Sequence, residues 1–150
     1  MVMASGLDTG TYFVIVSNYG GDTGPYEIMA NVTVPAVDEY ENDNSMEDSS
    51  SISTDGTLQT RNFSPPGDVD WAVFDITVPG IYEIRTRGEI DTYMELYDGD
   101  GGLLDEGDDG EDQNSLIEKR LPAGKYTLRV EPRGEASPDD LYELSVVRFR

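Results

Sequence analysis

The sequence predicts an all-β chain: a two-sheet antiparallel sandwich, preceded by strands from an incomplete copy of the same module. Three observations carry that expectation. Apolar and polar residues alternate over short stretches bounded by Gly and Pro, the pattern of half-buried strands. No stretch keeps a helical period. One phrase also occurs twice, as LDTGTYFVIV at Leu7–Val16 and as LPAGKYTLRV at Leu121–Val130. Leu7 matches Leu121, Gly10 matches Gly124, Tyr12 matches Tyr126, Val14 matches Leu128 and Val16 matches Val130. Both copies continue through a Gly-containing turn into a second strand-like stretch, Tyr26-Glu27-Ile28 or Tyr142-Glu143-Leu144. Self-similarity of this kind marks repeated structural units.

Residues 1–35 read as the last strands of a partial module. Thr11–Ser17 alternates with Tyr12, Val14 and Val16 on one face. The other face carries Phe13 and Ile15, where the second copy has Thr127 and Arg129. A strand apolar on both sides expects cover on both sides. That cover is a neighbouring domain of the same polypeptide, the second module, or another copy of the chain. A second run, Tyr26–Val34, follows the turn at Tyr19–Asp22 and stops at Pro35. Met1–Gly6 lacks the basic start and apolar centre of a secretion signal, so Met1 reads as the edge of a piece cut from a longer chain. Residues 36–56 form an acidic linker or lead-in, poor in apolar residues. Residues 57–150 form the complete sandwich, to which the lead-in from Glu41 onward belongs. Its strands are expected at Thr57–Phe63, Asp70–Val78, Ile81–Arg87, Thr92–Tyr97, Leu103–Asp105, Ser115–Leu121, Lys125–Glu131 and Leu141–Phe149. Core faces follow from alternation: Ala72, Phe74, Ile76 and Val78; Tyr82, Ile84 and Thr86; Tyr126, Leu128 and Val130; Tyr142, Leu144 and Val146. Pro79-Gly80 and Pro122-Ala123-Gly124 mark tight connections.

Composition narrows the function. The formal net charge is −21, with no Cys and no His. Without Cys there is no disulfide framework or thiolate metal site, and without His there is no His-based triad, general base or metal ligand. Acid excess disfavours nucleic acid and anionic membrane surfaces. No apolar run is long enough to span a bilayer. Lys and Arg are absent before Arg61. Such a surface fits a secreted protein of saline habitat or a calcium-binding one. Paired carboxylates can hydrolyse glycosides, but in so acidic a chain close pairs arise by chance. No motif sets a nucleophile beside a base, so an enzyme is not expected.

An ordered set of segments resembles the bacterial pre-peptidase C-terminal domain family. These are ENDNS at Glu41–Ser45, GDVDWAVFDITVPG at Gly67–Gly80, DTYMELYDGDGGLL at Asp91–Leu104, LPAGKYTLRV at Leu121–Val130 and YELSV at Tyr142–Val146. Together they cover residues 41–150, and residues 1–34 resemble the end of a preceding copy. The resemblance implies a jelly-roll-like sandwich in secreted bacterial and archaeal proteins, often tandem and C-terminal to a peptidase domain. The collagen-binding domains of clostridial collagenases are similar. It further implies a non-catalytic accessory role in binding, stabilisation or spacing. In the collagenase relatives calcium binds where the acidic lead-in meets the sandwich. The family's lead-in motif maps onto Glu41, Asp43, Asn44 and Ser45, with Asn42 where the family has Pro. Its Asp-x-Asp-aromatic turn maps onto Asp68, Asp70 and Trp71. Calcium takes six to eight oxygens, and close carboxylates are costly together unless a cation sits among them. Glu41, Asp43, Asn44, Asp68 and Asp70 are therefore the candidate calcium ligands. The alternative is a set of solvated acids.

A second acidic run, Asp98–Asp112, opens like a calcium loop but lacks the later ligands and closing Glu at loop spacing. Trp71, Tyr93 and Tyr97 alternate away from the core face. They are candidate contacts for an extracellular protein such as collagen or for a polysaccharide, or else ordinary cross-strand pairs and cover for the lead-in. Three functional classes result: an extracellular accessory module, an assembly module that polymerises by strand donation through the strand of Phe13 and Ile15, and a collagen- or polysaccharide-binding module.

Overall fold

The computed structural model describes residues 10–21, 23–31, 36–111, 113–137 and 139–149, with the backbone alone at 109–111. The chain divides into two units, Met1–Val34 and Pro35–Arg150. No helix occurs among the described residues.

The second unit is a sandwich of ten strands in chain order: β1 (Ser50–Ser51), β2 (Gln59–Asn62), β3 (Asp70–Ile76), β4 (Gly80–Gly88), β5 (Thr92–Asp98), β6 (Leu103–Gly107), β7 (Asp109–Glu111), β8 (Asn114–Leu121), β9 (Gly124–Pro132) and β10 (Leu141–Arg148). One sheet runs β1-β3-β9-β5-β6 and the other β2-β10-β4-β8-β7. All pairings are antiparallel except β1 with β3. The repeated phrase is β9, at the centre of its sheet. Its Tyr126, Leu128 and Val130 pair with Phe74, Ala72 and Asp70 on one side, and with Asp98, Leu96 and Met94 on the other.

Alternation places the core where expected. Ala72, Phe74 and Ile76, Tyr82 and Ile84, Tyr126, Leu128 and Val130, and Tyr142, Leu144 and Val146 are buried in one cluster between the sheets. Burial of such rows is the main favourable term in folding. Where β4, β5 and β8 meet, a polar knot joins the sheets. Thr86 Oγ1 lies 2.6 Å from Thr92 Oγ1, and Ser115 Oγ donates to the Thr92 carbonyl at 2.6 Å. A Gly-x-Tyr corner occurs twice in the sandwich, and its Gly-to-ring contact recurs at Tyr12. Tyr82 donates to the Val78 carbonyl at 2.8 Å and Tyr126 to the Pro122 carbonyl at 3.0 Å. At Gly124 an added Cβ would lie 3.7 Å from the Tyr126 ring, and at Gly10 one would lie 3.7 Å from the Tyr12 ring.

Several expectations need correction. β3 ends at Ile76, and Val78 is exposed rather than in the core, because Pro79 ends the ladder there. β1 and β7 lie in acidic or Ser-rich stretches with no apolar alternation to announce them; backbone pairing alone makes them strands. In the first unit, Thr11–Ser17 and the described part of Tyr26–Val34 carry no strand. The second copy of the phrase is a strand because β3 and β5 pair with it on both sides. Among the described residues, no strand pairs with Thr11–Ser17.

Candidate metal centre

The lead-in docks along the free edge of β3. The Trp71 amide donates to the Asp43 carbonyl at 2.9 Å, Ser50 and Ser51 pair with Ala72 and Val73, and the Ile52 amide reaches the Val73 carbonyl at 2.9 Å. Farther upstream, the Asn62 amide donates to Asp38 Oδ2 at 2.9 Å, and Asn62 Nδ2 donates to the Ala36 carbonyl at 2.8 Å. These bonds carry Glu41 and Asp43 to the start of β3, where Asp68 and Asp70 stand. The Asp68 amide bonds the Pro65 carbonyl at 3.0 Å, in a turn where Gly67 has φ +89°, which a side chain resists. Asp70 begins the inward row that continues with Ala72, Phe74 and Ile76. A carboxylate on a core face is costly unless something compensates it.

The four carboxylates share one arrangement: one oxygen is held by the protein and the other is buried without a donor. Asp43 Oδ2 accepts Ser50 Oγ at 2.8 Å and Arg61 Nη1 at 2.5 Å. Asp70 Oδ2 accepts the Tyr142 hydroxyl, which is wholly buried and stacked on Phe63 at 4.8 Å between centroids. Asp68 Oδ1 accepts the Val69 amide at 2.9 Å, and Glu41 Oε2 accepts Asn44 Nδ2 at 3.3 Å. Glu41 Oε1, Asp43 Oδ1, Asp68 Oδ2 and Asp70 Oδ1 have no donor.

Their titration reflects this crowding. Burial, then the adjoining carboxyl of Asp68, pushes Glu41 up to about 7. Burial pushes Asp70 up to about 8, against the Tyr142 hydrogen bond and with help from the charge of Asp43. Asp43 is raised by burial, which outweighs the opposing pull of Arg61.

Ligand oxygens of Glu41, Asp43 and Asp70 lie within 4.8 Å of one another. A calcium ion with bonds of roughly 2.3–2.6 Å spans opposite ligands about that far apart, so one ion reaches all three. Oxygen-only donors suit a hard cation, and the paired second oxygens fix the carboxylates for it. Asn44 departs from expectation. It is exposed, and its amide donates to Glu41 instead of converging with the carboxylates. Arg61 was not expected at the site, and Tyr142 was expected only as a core-face residue. The signal for both was on the page: Gln59, Arg61 and Phe63 alternate, and so do Tyr142, Leu144 and Val146, which puts Arg61 and Tyr142 on core faces.

The second acidic run opens as a turn at Asp98–Gly102 and continues through β6 and β7. Asp98 Oδ1 accepts the amides of Asp100 and Gly102 at 3.0 and 2.8 Å. Trp71, Tyr93 and Tyr97 are half-buried on the outer face of the β3–β9–β5 sheet. Trp71 and Tyr97 meet at 5.6 Å between centroids, whereas Tyr93 lies beneath the Arg133 guanidinium at 4.2 Å. Arg129 fills the space between them, bonding Glu95 at 3.0 Å and Glu131 at 2.6 Å. Phe13 and Ile15, in the first unit, are 88% and 91% exposed.

No family model matches the chain, and no curated protein does. Among solved structures, the pre-peptidase C-terminal domain of collagenase from Bacillus anthracis matches with a TM-score of 0.53 at 20% identity. The match covers 65% of this chain and 95% of that one. The fold is therefore the one that the sequence segments indicate.

Proposed function

We propose that this chain, with the fold of a pre-peptidase C-terminal domain, is a non-catalytic extracellular accessory module whose sandwich is stabilised by calcium. The observation that carries the calcium reading is the set of four buried, donorless carboxylate oxygens at the lead-in junction. Glu41, Asp43 and Asp70 hold the cation, which supplies the charge that separates them, and the carboxyl of Asp68 adjoins Glu41 beside it. Because the site joins the lead-in to β3, calcium acts here as a clamp between a connecting segment and a rigid domain. That suits a spacer or stabiliser beside a catalytic or surface domain of a secreted protein. Calorimetric titration of metal-stripped protein with calcium tests the reading. We expect saturable binding that is lost in Asp70→Asn; heats equal to dilution into buffer would refute it.

A second reading rests on the first unit. Tyr12, Phe13, Val14, Ile15 and Val16 are all more than half exposed, and soluble monomers seldom leave so much contiguous apolar surface open. Cover by another copy of the chain makes the protein an assembly module. Binding of collagen or a polysaccharide to the outer aromatic face is a third role, supported by the Trp71–Tyr97 contact.

A further inference from the structure

Arg61 is the first basic residue of the chain, and it is wholly buried. Its Nη1 donates to Asp43 Oδ2 at 2.5 Å, its Nη2 to Ser50 Oγ at 2.6 Å and to Gln59 Oε1 at 2.7 Å, and its Nε to Gln59 Oε1 at 3.2 Å. The guanidinium carbon lies 4.4 Å over the Tyr40 ring. Tyr40 and Asp43 belong to the stretch leading into β1 and Ser50 begins β1, while Arg61 and Gln59 belong to β2 of the opposite sheet. One planar fork therefore ties the lead-in to the far layer of the sandwich. Arg suits this task because its charge is permanent and its donors are fixed in one plane.

Arg61 also leaves the metal-facing oxygens alone. It bonds Oδ2 of Asp43, and the donorless oxygen is Oδ1. The guanidinium thus holds one oxygen of this carboxylate and leaves the other for a cation. Four carboxylates against one guanidinium and one divalent cation leave a single negative charge. A second divalent cation would make this buried site positive, at a cost that nothing nearby offsets.

We propose that the Arg61 guanidinium is a fixed internal cation that docks the acidic lead-in without metal, so that the centre takes one divalent cation rather than two. The stoichiometry rests on the calcium reading above; the docking does not. The Trp71 amide gives a direct readout, because it bonds the Asp43 carbonyl only while the lead-in is seated. Hydrogen exchange is measured on the full chain with calcium and with chelator, using β9 amides as the control for the sandwich. In chelated wild type, Trp71 should exchange within about tenfold of its calcium-loaded rate. In chelated Arg61→Gln it should exchange at least about a hundredfold faster while β9 stays protected, and calcium should restore it. Loss of Trp71 protection in chelated wild type would overturn the proposal, as would its retention in Arg61→Gln. If Arg61→Gln folds only with calcium, Arg61→Lys is measured in the same way. It keeps the charge and loses the fork, so protection weaker than wild type's in chelator supports the proposal and equal protection overturns it. Calorimetry should give one calcium per chain, and two would refute the stoichiometry. No binding at all would refute the calcium reading and, with it, the stoichiometry, while the chelator measurements still decide the docking.

Discussion

Asp70 sits at the head of an otherwise apolar row, with one oxygen satisfied by Tyr142 and the other by nothing in the protein. Replacing it by Asn keeps an acceptor for the Tyr142 hydroxyl and removes the charge. In chelator, Asp70→Asn should melt no lower than wild type, because a crowded negative charge has gone. With calcium it should gain nothing, and paired melting curves check both halves. Titration gives a related expectation. Glu41 and Asp70 ionise at about 7 and about 8, above their ordinary values of 4.5 and 3.8. Between those limits the folded metal-free protein binds more protons than the unfolded chain, so its stability falls as pH rises. The contribution is full below about pH 4 and is lost as pH passes through 7 to 8. Calcium should offset the fall, so its stabilising effect should grow from pH 5 to pH 8. Urea unfolding at several pH values, with and without calcium, checks this, and a calcium effect that is flat with pH would count against the carboxylate site. Asp70 was legible as a candidate ligand because a family motif covers it. Tyr142 was not, since nothing in a single sequence says which carboxylate a core hydroxyl will meet.

β9 is the element on which the sandwich turns, hydrogen-bonded on both edges and buried along one face. Leu128→Ala should cost about 2–5 kcal/mol, the range for a large-to-small change in a packed core. Gly88 tests the neighbouring sheet differently. It has φ +151°, and an added Cβ would lie 2.9 Å from the Leu141 carbonyl oxygen. Gly88→Ala should therefore destabilise by about 1–3 kcal/mol through backbone conformation and contact together. Chemical denaturation of both variants checks the ranking, with Leu128→Ala the more damaging. All eight strands expected in the second unit are present, because alternation and Pro-Gly turns are local signals. The exceptions are also physical. β1 is two serines held by backbone bonds along an edge, and β7 lies in a run of acids whose backbone pairs with β8. Neither buries an apolar row, so neither leaves a pattern to read.

Across the molecule, the repeat shows what sequence can and cannot supply. Leu121–Val130 and Leu7–Val16 share Leu, Gly, Tyr and Val at matched positions, and the Gly stands against the Tyr ring in both. A strand, however, needs neighbours, and among the described residues the second copy has them while Thr11–Ser17 lies in no strand. The outer positions then differ in kind: Thr127 and Arg129 are served by their own sheet face, whereas Phe13 and Ile15 are open. If that surface is covered by another copy, light scattering after size exclusion should show mass rising with concentration, and Phe13→Asp with Ile15→Asp should restore a monomer. A monomer for wild type throughout would remove the assembly reading. The accessory reading depends instead on the junction between lead-in and sandwich. Its most direct test is thermal melting of the wild-type chain near pH 8, in chelator and in excess calcium. At one hundred times its dissociation constant, a ligand that binds only the folded state adds about 2.7 kcal/mol, roughly 10 °C or more for a domain of this size. A rise of that order, absent in Asp70→Asn, is the expected result; identical midpoints with and without calcium would contradict a calcium-stabilised module.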